Sequence, residues 1–194
     1  MERTLVIDHS TLIIRRAAAV VLGALLVAAA AQVSVPLPGT PVPMTLQPLA
    51  VLLVGGLLGA PLGALSMILY LAMGAAGLPV FTPTVPLIGV ARLFGPTGGY
   101  LLAYPVAAWV VGRFSDPGRQ PGVNKPAWAR VTVAVVAGLV LIHLGGLAQL
   151  AILTGSLSAA ARFGTWPFLL GDLLKLAALV PVLTKLTPTI RARL

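Results

Sequence analysis

Six apolar runs, parted only by proline, glycine and short charged segments, make up most of this chain. Runs near the ~20 residues needed to cross a bilayer read as membrane helices. The spacing predicts helices at 13–33, 46–59, 62–77, 97–113, 128–153 and 167–187. With 58% hydrophobic and 9% charged residues, the composition lies far from a soluble domain, where about a quarter are charged. The expectation is an all-α, polytopic protein forming a single membrane domain over residues 1–194. Cysteine is absent, which excludes disulfide and thiol chemistry.

The net charge of +9 invites a nucleic-acid reading. The basic residues instead fall at helix ends and in short loops, with no basic amphipathic face, so membrane topology explains them better and no nucleic-acid partner is expected. With the N-terminus inside, Arg3, Arg15, Arg16, Arg113, Arg119, Lys125, Arg130, Lys185, Arg191 and Arg193 are cytoplasmic, whereas only Arg92 and Arg162 lie outside. Lys175 falls within the last helix. An odd number of spans would set Arg191 and Arg193 opposite Arg15 and Arg16, so both termini are predicted to be cytoplasmic. The first run also has the form of a cleaved leader over residues 15–34, but an even span count requires it as a helix.

The second and third runs are divided by Gly59, Ala60 and Pro61. Pro61 suits the first turn of a helix, where its missing N–H costs nothing. A single broken helix would be about 45 Å long, so a tight hairpin is predicted. Two proline-rich segments, 35–43 and 78–94, then face outside. At these lengths they read as ordered lids rather than minimal connections.

GPTGGY, residues 95–100, opens the fourth helix with residues that weaken or break a backbone ladder. Irregular backbone at membrane depth is tolerated where protein buries it or where it lines a cavity. The segment therefore points to a site. Gln47, Tyr100, Gln149, Asp172 and Lys175 are predicted within about 12 Å of the outer boundary, counting 1.5 Å per residue. Asp172 and Lys175, three apart, share one helix face. A charge at that depth costs several kcal/mol unless paired or wet, so the pair is either a packing lock, a ligand site, or both. His143 is expected to bond a neighbouring helix, His9 to lie in a solvated tail, and Tyr70 and Tyr104 to pack. Ala24 and Ala28 form a small-xxx-small spacing that serves internal packing or docks another membrane protein.

No phosphate-binding G-x-x-x-x-G-K-[ST], nucleophile elbow or H-E-x-x-H motif is present, and no second histidine or carboxylate is placed for a metal site. Neither enzyme activity nor a cofactor or metal is expected. A channel would carry polar residues along its whole length, whereas these gather in the outer leaflet.

Three ordered blocks carry a resemblance: PLPGTPVPMTLQPLAVLLVGGLLGAPLGALSMILYLAMGAAGLPVF at 36–81, GPTGGYL at 95–101 and GDLLK at 171–175. Together they resemble the BioY family, the biotin-binding S components of energy-coupling factor (ECF) vitamin transporters. The resemblance implies a six-helix protein that captures biotin from outside and docks on a transmembrane T component carrying two ATP-binding-cassette ATPases. It implies that Ala24 and Ala28 form the docking surface and that 35–43 is a lid leading to Gln47. Asp172 is expected to accept the ureido N–H groups and Lys175 or Arg92 to meet the carboxylate. Gly98 and Gly99 are expected to let backbone approach the ligand, with Tyr100 stacking on it or donating its hydroxyl, and Gln149 completing the site. An S component for another small vitamin would share the same helix plan.

Overall fold

The computed structural model describes residues 9–115 and 127–194. Arg3, Arg119 and Lys125 lie outside the described residues. The chain forms α1 (His9–Gln32), β1 (Ser34–Val35), β2 (Met44–Thr45), α2 (Gln47–Leu58), α3 (Ala60–Ala75), α4 (Ala91–Phe94), α5 (Gly98–Phe114), α6 (Ala127–Thr154), α7 (Leu157–Gly164), a 3-10 turn (Trp166–Phe168) and α8 (Leu169–Arg191). The protein is all-α apart from the two-residue strands. By length and hydropathy, α1, α6 and the stretch 157–191 are long and apolar enough to cross a membrane, while α2 and α3 are apolar but shorter. His9 opens α1 rather than lying in a tail.

Gly59 turns the chain between α2 and α3 at φ 87°, in the region only glycine enters freely. Its N–H donates to Gly55 O at 3.0 Å, and Gly63 N–H donates to Gly59 O at 2.8 Å. A Cβ added at Gly63 would lie 2.8 Å from Gly55 Cα, so the two helices fold back on each other as a hairpin. Pro48 and Pro61 each occupy the first turn of their helix.

The end bearing the start of α1 and the end of α8 is tied together. Arg191 donates to Gly56 O at 2.6 Å and to Gly112 O at 2.9 Å. Arg16 Nε donates to Leu194 O at 2.7 Å, placing the first turns of α1 and the C-terminal residue on the same side of the bundle. Above this level lies a dry layer of Leu52, Val54, Val111, Val135, Leu179 and Leu183, all buried.

The small residues of α1 face inward. Ala24 is 0% and Ala28 8% exposed, and beside them a Cβ on Gly23 would lie 2.6 Å from Ser66 Oγ and 2.9 Å from Val54 Cγ1. Close approach of α1 to α2 and α3 favours the internal-packing alternative for Ala24 and Ala28. Ala24→Leu is expected to lower the yield of folded, monodisperse protein by overpacking, at about 1–3 kcal/mol. Size-exclusion profiles check this; a normally folded variant deficient only in uptake would restore the docking role.

Candidate functional site

At the opposite end, β1 pairs antiparallel with β2, setting Ser34 against Thr45 and Val35 against Met44. The segment between them folds over the bundle. Thr40 Oγ1 donates to Phe163 O at 2.6 Å and accepts from Val42 N–H at 3.1 Å, so the cover is fastened to α7. Val42 and Pro43 line a cavity beneath this cover.

Its walls come from every quarter of the fold. Gln47 enters from the start of α2, Phe81, Thr82 and Arg92 from the 78–94 segment, Thr97 from just before α5, and Tyr100 and Tyr104 from α5. Leu139, Ile142 and His143 come from α6, Phe168 from the 3-10 turn, and Asp172 and Lys175 from the first turns of α8. The lining is mostly apolar and aromatic, with polar groups gathered at a few points.

Asp172 sits in the first turn of α8, where the helix dipole favours a negative charge. Its Oδ1 accepts from Lys175 Nζ at 2.8 Å and its Oδ2 lies 2.6 Å from His143 Nε2. The carboxylate is thus held from two sides, and each oxygen retains acceptor capacity. Gln47 is held likewise: its Nε2 donates to Tyr70 at 2.9 Å and its Oε1 accepts from Tyr104 at 3.0 Å. Tyr70 packs edge-on to Phe81, with ring centroids 5.4 Å apart.

Arg92 is 1% exposed. Its two terminal nitrogens donate to the carbonyls of Thr82 and Val85, folding the loop around the guanidinium. Its Nε, the hydroxyl of Thr97 and the Nδ1 of His143 are buried without a hydrogen-bond partner. All three belong to residues that line the cavity, where such atoms cost free energy until something pairs them.

Of the residues singled out from sequence, Asp172, Lys175, Tyr100, Gln47 and Arg92 converge on this cavity. The Tyr100 hydroxyl is engaged, donating to Gly164 O at 2.6 Å. Gly98, Gly99 and Gln149 do not line the cavity. A Cβ on Gly99 would lie 2.1 Å from Gly145 O and one on Gly98 1.9 Å from Leu93 O, so both glycines serve close backbone packing. Gln149 Nε2 donates to Leu93 O at 3.0 Å and Gly95 O at 2.7 Å, tying the loop down. His143 does bond a neighbouring helix, as its position suggested, and also lines the cavity. Tyr104 does too; its spacing of four from Tyr100 put both on one face of α5.

A helical bundle in a membrane, closed by a fastened cover over a polar-tipped apolar pocket, is a membrane ligand-binding protein. The sequence profile of the BioY family matches residues 2–192. The chain belongs to the BioY family and is a multi-pass integral protein of the cell membrane. It is 36% identical over 156 residues to the probable biotin transporter BioY of Pyrococcus horikoshii, covering 80% of this chain and 86% of that one. It is 36% identical over 162 residues to the biotin transporter BioY of Thermotoga maritima, covering 82% and 89%. Its fold is that of a crystal structure of the S-component for biotin from an ECF-type ABC transporter, with a TM-score of 0.77 at 24% identity over 89% of this chain and 90% of that one.

Proposed function

We propose that this protein is the biotin-binding component of a vitamin uptake transporter, capturing biotin from outside through the mouth beneath the 35–43 cover. The observation that carries the reading is the cavity itself: a carboxylate held by ammonium and imidazole, set in an aromatic and apolar wall. Biotin offers matching chemistry, with two ureido N–H groups, an apolar thioether ring and a carboxylate tail. Asp172 accepts the ureido N–H groups, the rings of Tyr104 and Phe168 flank the bicycle, and the Arg92 guanidinium meets the carboxylate. Lys175 and His143 orient Asp172.

Six helices of twelve residues or more, α1, α2, α3, α5, α6 and α8, serve as the spans, with both termini cytoplasmic on the strength of the basic residues gathered there. The protein binds its ligand without altering it. Energy for uptake comes from a transmembrane T component bearing two ATP-binding-cassette ATPases, since the sequence carries no phosphate-binding loop. Protein purified from cells supplied with biotin is expected to carry biotin, identified by mass spectrometry of the released small molecules. A different vitamin in its place, with no retention of labelled biotin, would overturn the assignment.

A further inference from the structure

Among the described residues, α3 lends no side chain to the cavity wall, although it packs against α5, which lends Tyr100, Leu101 and Tyr104. What α3 carries on its inward face is Tyr70, 0% exposed and outside the lining. A hydroxyl buried this deeply costs free energy unless it is bonded. Here it accepts from Gln47 Nε2 at 2.9 Å, and the Oε1 of the same amide accepts from the Tyr104 hydroxyl at 3.0 Å. One carboxamide thus joins α3, α2 and α5. Gln47 and Tyr104 belong to the cavity wall, and Tyr70 stands behind them.

The terminal torsion of a glutamine is broad and roughly two-fold, so the side chain itself selects no orientation. The amide of Gln47 is fixed because it is held at both ends, and Tyr70 is the partner that the wall does not supply. The ring of Tyr70 has a second contact. Its edge meets Phe81, with centroids 5.4 Å apart and planes at 81°. One turn further along α3, a Cβ at Gly74 would collide with the same Phe81 ring. Phe81 lines the cavity beside Arg92, whose guanidinium carbon is 6.0 Å from the ring centroid.

We infer that Tyr70 is a positioning residue of the pocket. Its hydroxyl sets the Gln47 amide and, through it, the Tyr104 ring, while its ring edge backs Phe81. It governs affinity and selectivity for the ligand's bicycle without touching the ligand. The inference rests on the biotin reading above. Without the hydroxyl, the Gln47 Nε2 is a buried donor lacking its partner. The amide then turns, the Tyr104 hydroxyl loses its acceptor, and the ring flanking the bicycle loosens.

Tyr70→Phe removes the hydroxyl and keeps the ring against Phe81. Affinities for biotin and for desthiobiotin, which lacks the sulfur bridge of the bicycle, are measured by titration calorimetry on the detergent-purified full chain. Gln47→Leu and the double variant are measured beside it. Tyr70→Phe is expected to weaken biotin binding about 3- to 10-fold, the equivalent of one neutral hydrogen bond. Desthiobiotin is expected to lose less, because the closed ring is what Tyr104 packs against. In the Gln47→Leu background, Tyr70→Phe is expected to change neither affinity further. Unaltered biotin affinity would overturn the inference. So would an equal loss for both ligands, which a general loosening of the fold gives, or a loss that multiplies with that of Gln47→Leu. A Tyr70→Phe chain that fails to fold moves the comparison to the Gln47→Leu background, where a further loss overturns the inference and unchanged affinities uphold it. The unaltered chain, titrated alongside, tests biotin binding itself; the ratios between chains test the role of Tyr70.

Discussion

Asp172→Asn is expected to weaken biotin binding about 10- to 150-fold, the equivalent of losing a charge-assisted hydrogen bond of roughly 1.5–3 kcal/mol. The substitution keeps the shape and removes the charge. One of the two oxygens becomes an NH2 facing either the ammonium of Lys175 or the imidazole of His143, which hold it at 2.8 and 2.6 Å. Lys175, buried beside it, then lacks its counter-charge, and the ligand meets a donor where it needs an acceptor. Titration calorimetry on detergent-purified protein reads the change, with a thermal melt confirming the fold. Unaltered affinity in a folded variant would remove Asp172 from the site and leave the pair as a packing lock.

Gly99→Val is expected to act on folding instead, at about 3 kcal/mol or more. The reason is what stands opposite. A Cβ at Gly99 meets the carbonyl of Gly145, and one at Gly145 would lie 2.4 Å from Gly99 O. Backbone faces backbone across the α5–α6 contact, so no side chain can swing aside and the helices must part. The readout is the fraction of monodisperse protein and its melting temperature in detergent. A variant that melts normally but binds biotin poorly would place this glycine against the ligand and reject its packing role.

The helices were legible because each boundary carries its own local chemistry. Pro61 opens α3 and Gly59 turns the chain before it, as the Gly59–Pro61 break implied. The hydrophobic runs place each span to within a few residues, since apolar length alone selects it. α7 carries a local signal, a Ser156 N-cap that accepts from Ala159 N–H, but falls outside the apolar runs. α4 and the two-residue strands left no such signal, and α4 sits beside the loop that the Arg92 guanidinium holds.

The site was legible in height but not in direction. Counting residues from the surface places Gln149, Gly98 and Asp172 near one depth, and depth is what the sequence encodes by length. Which way a side chain points around its helix depends on the neighbour that helix meets. Gln149 turns to the loop carbonyls of Leu93 and Gly95, Gly98 and Gly99 to neighbouring backbone, and Ala24 and Ala28 to the interior of the bundle. His143 does bond another helix, but its partner is Asp172, 29 residues away in a different helix, and only the packed bundle brings the two together.

The clamped inner end has a consequence for the direction of traffic. Arg191 binds carbonyls near the C-terminal ends of two helices, and beneath the pocket Leu52, Val111, Val135, Leu179 and Leu183 are all buried. On the proposed orientation, with the cover facing outside, delivery to the cell interior requires either that this mouth be carried to the other side of the bilayer or that the packed floor beneath it be pulled apart.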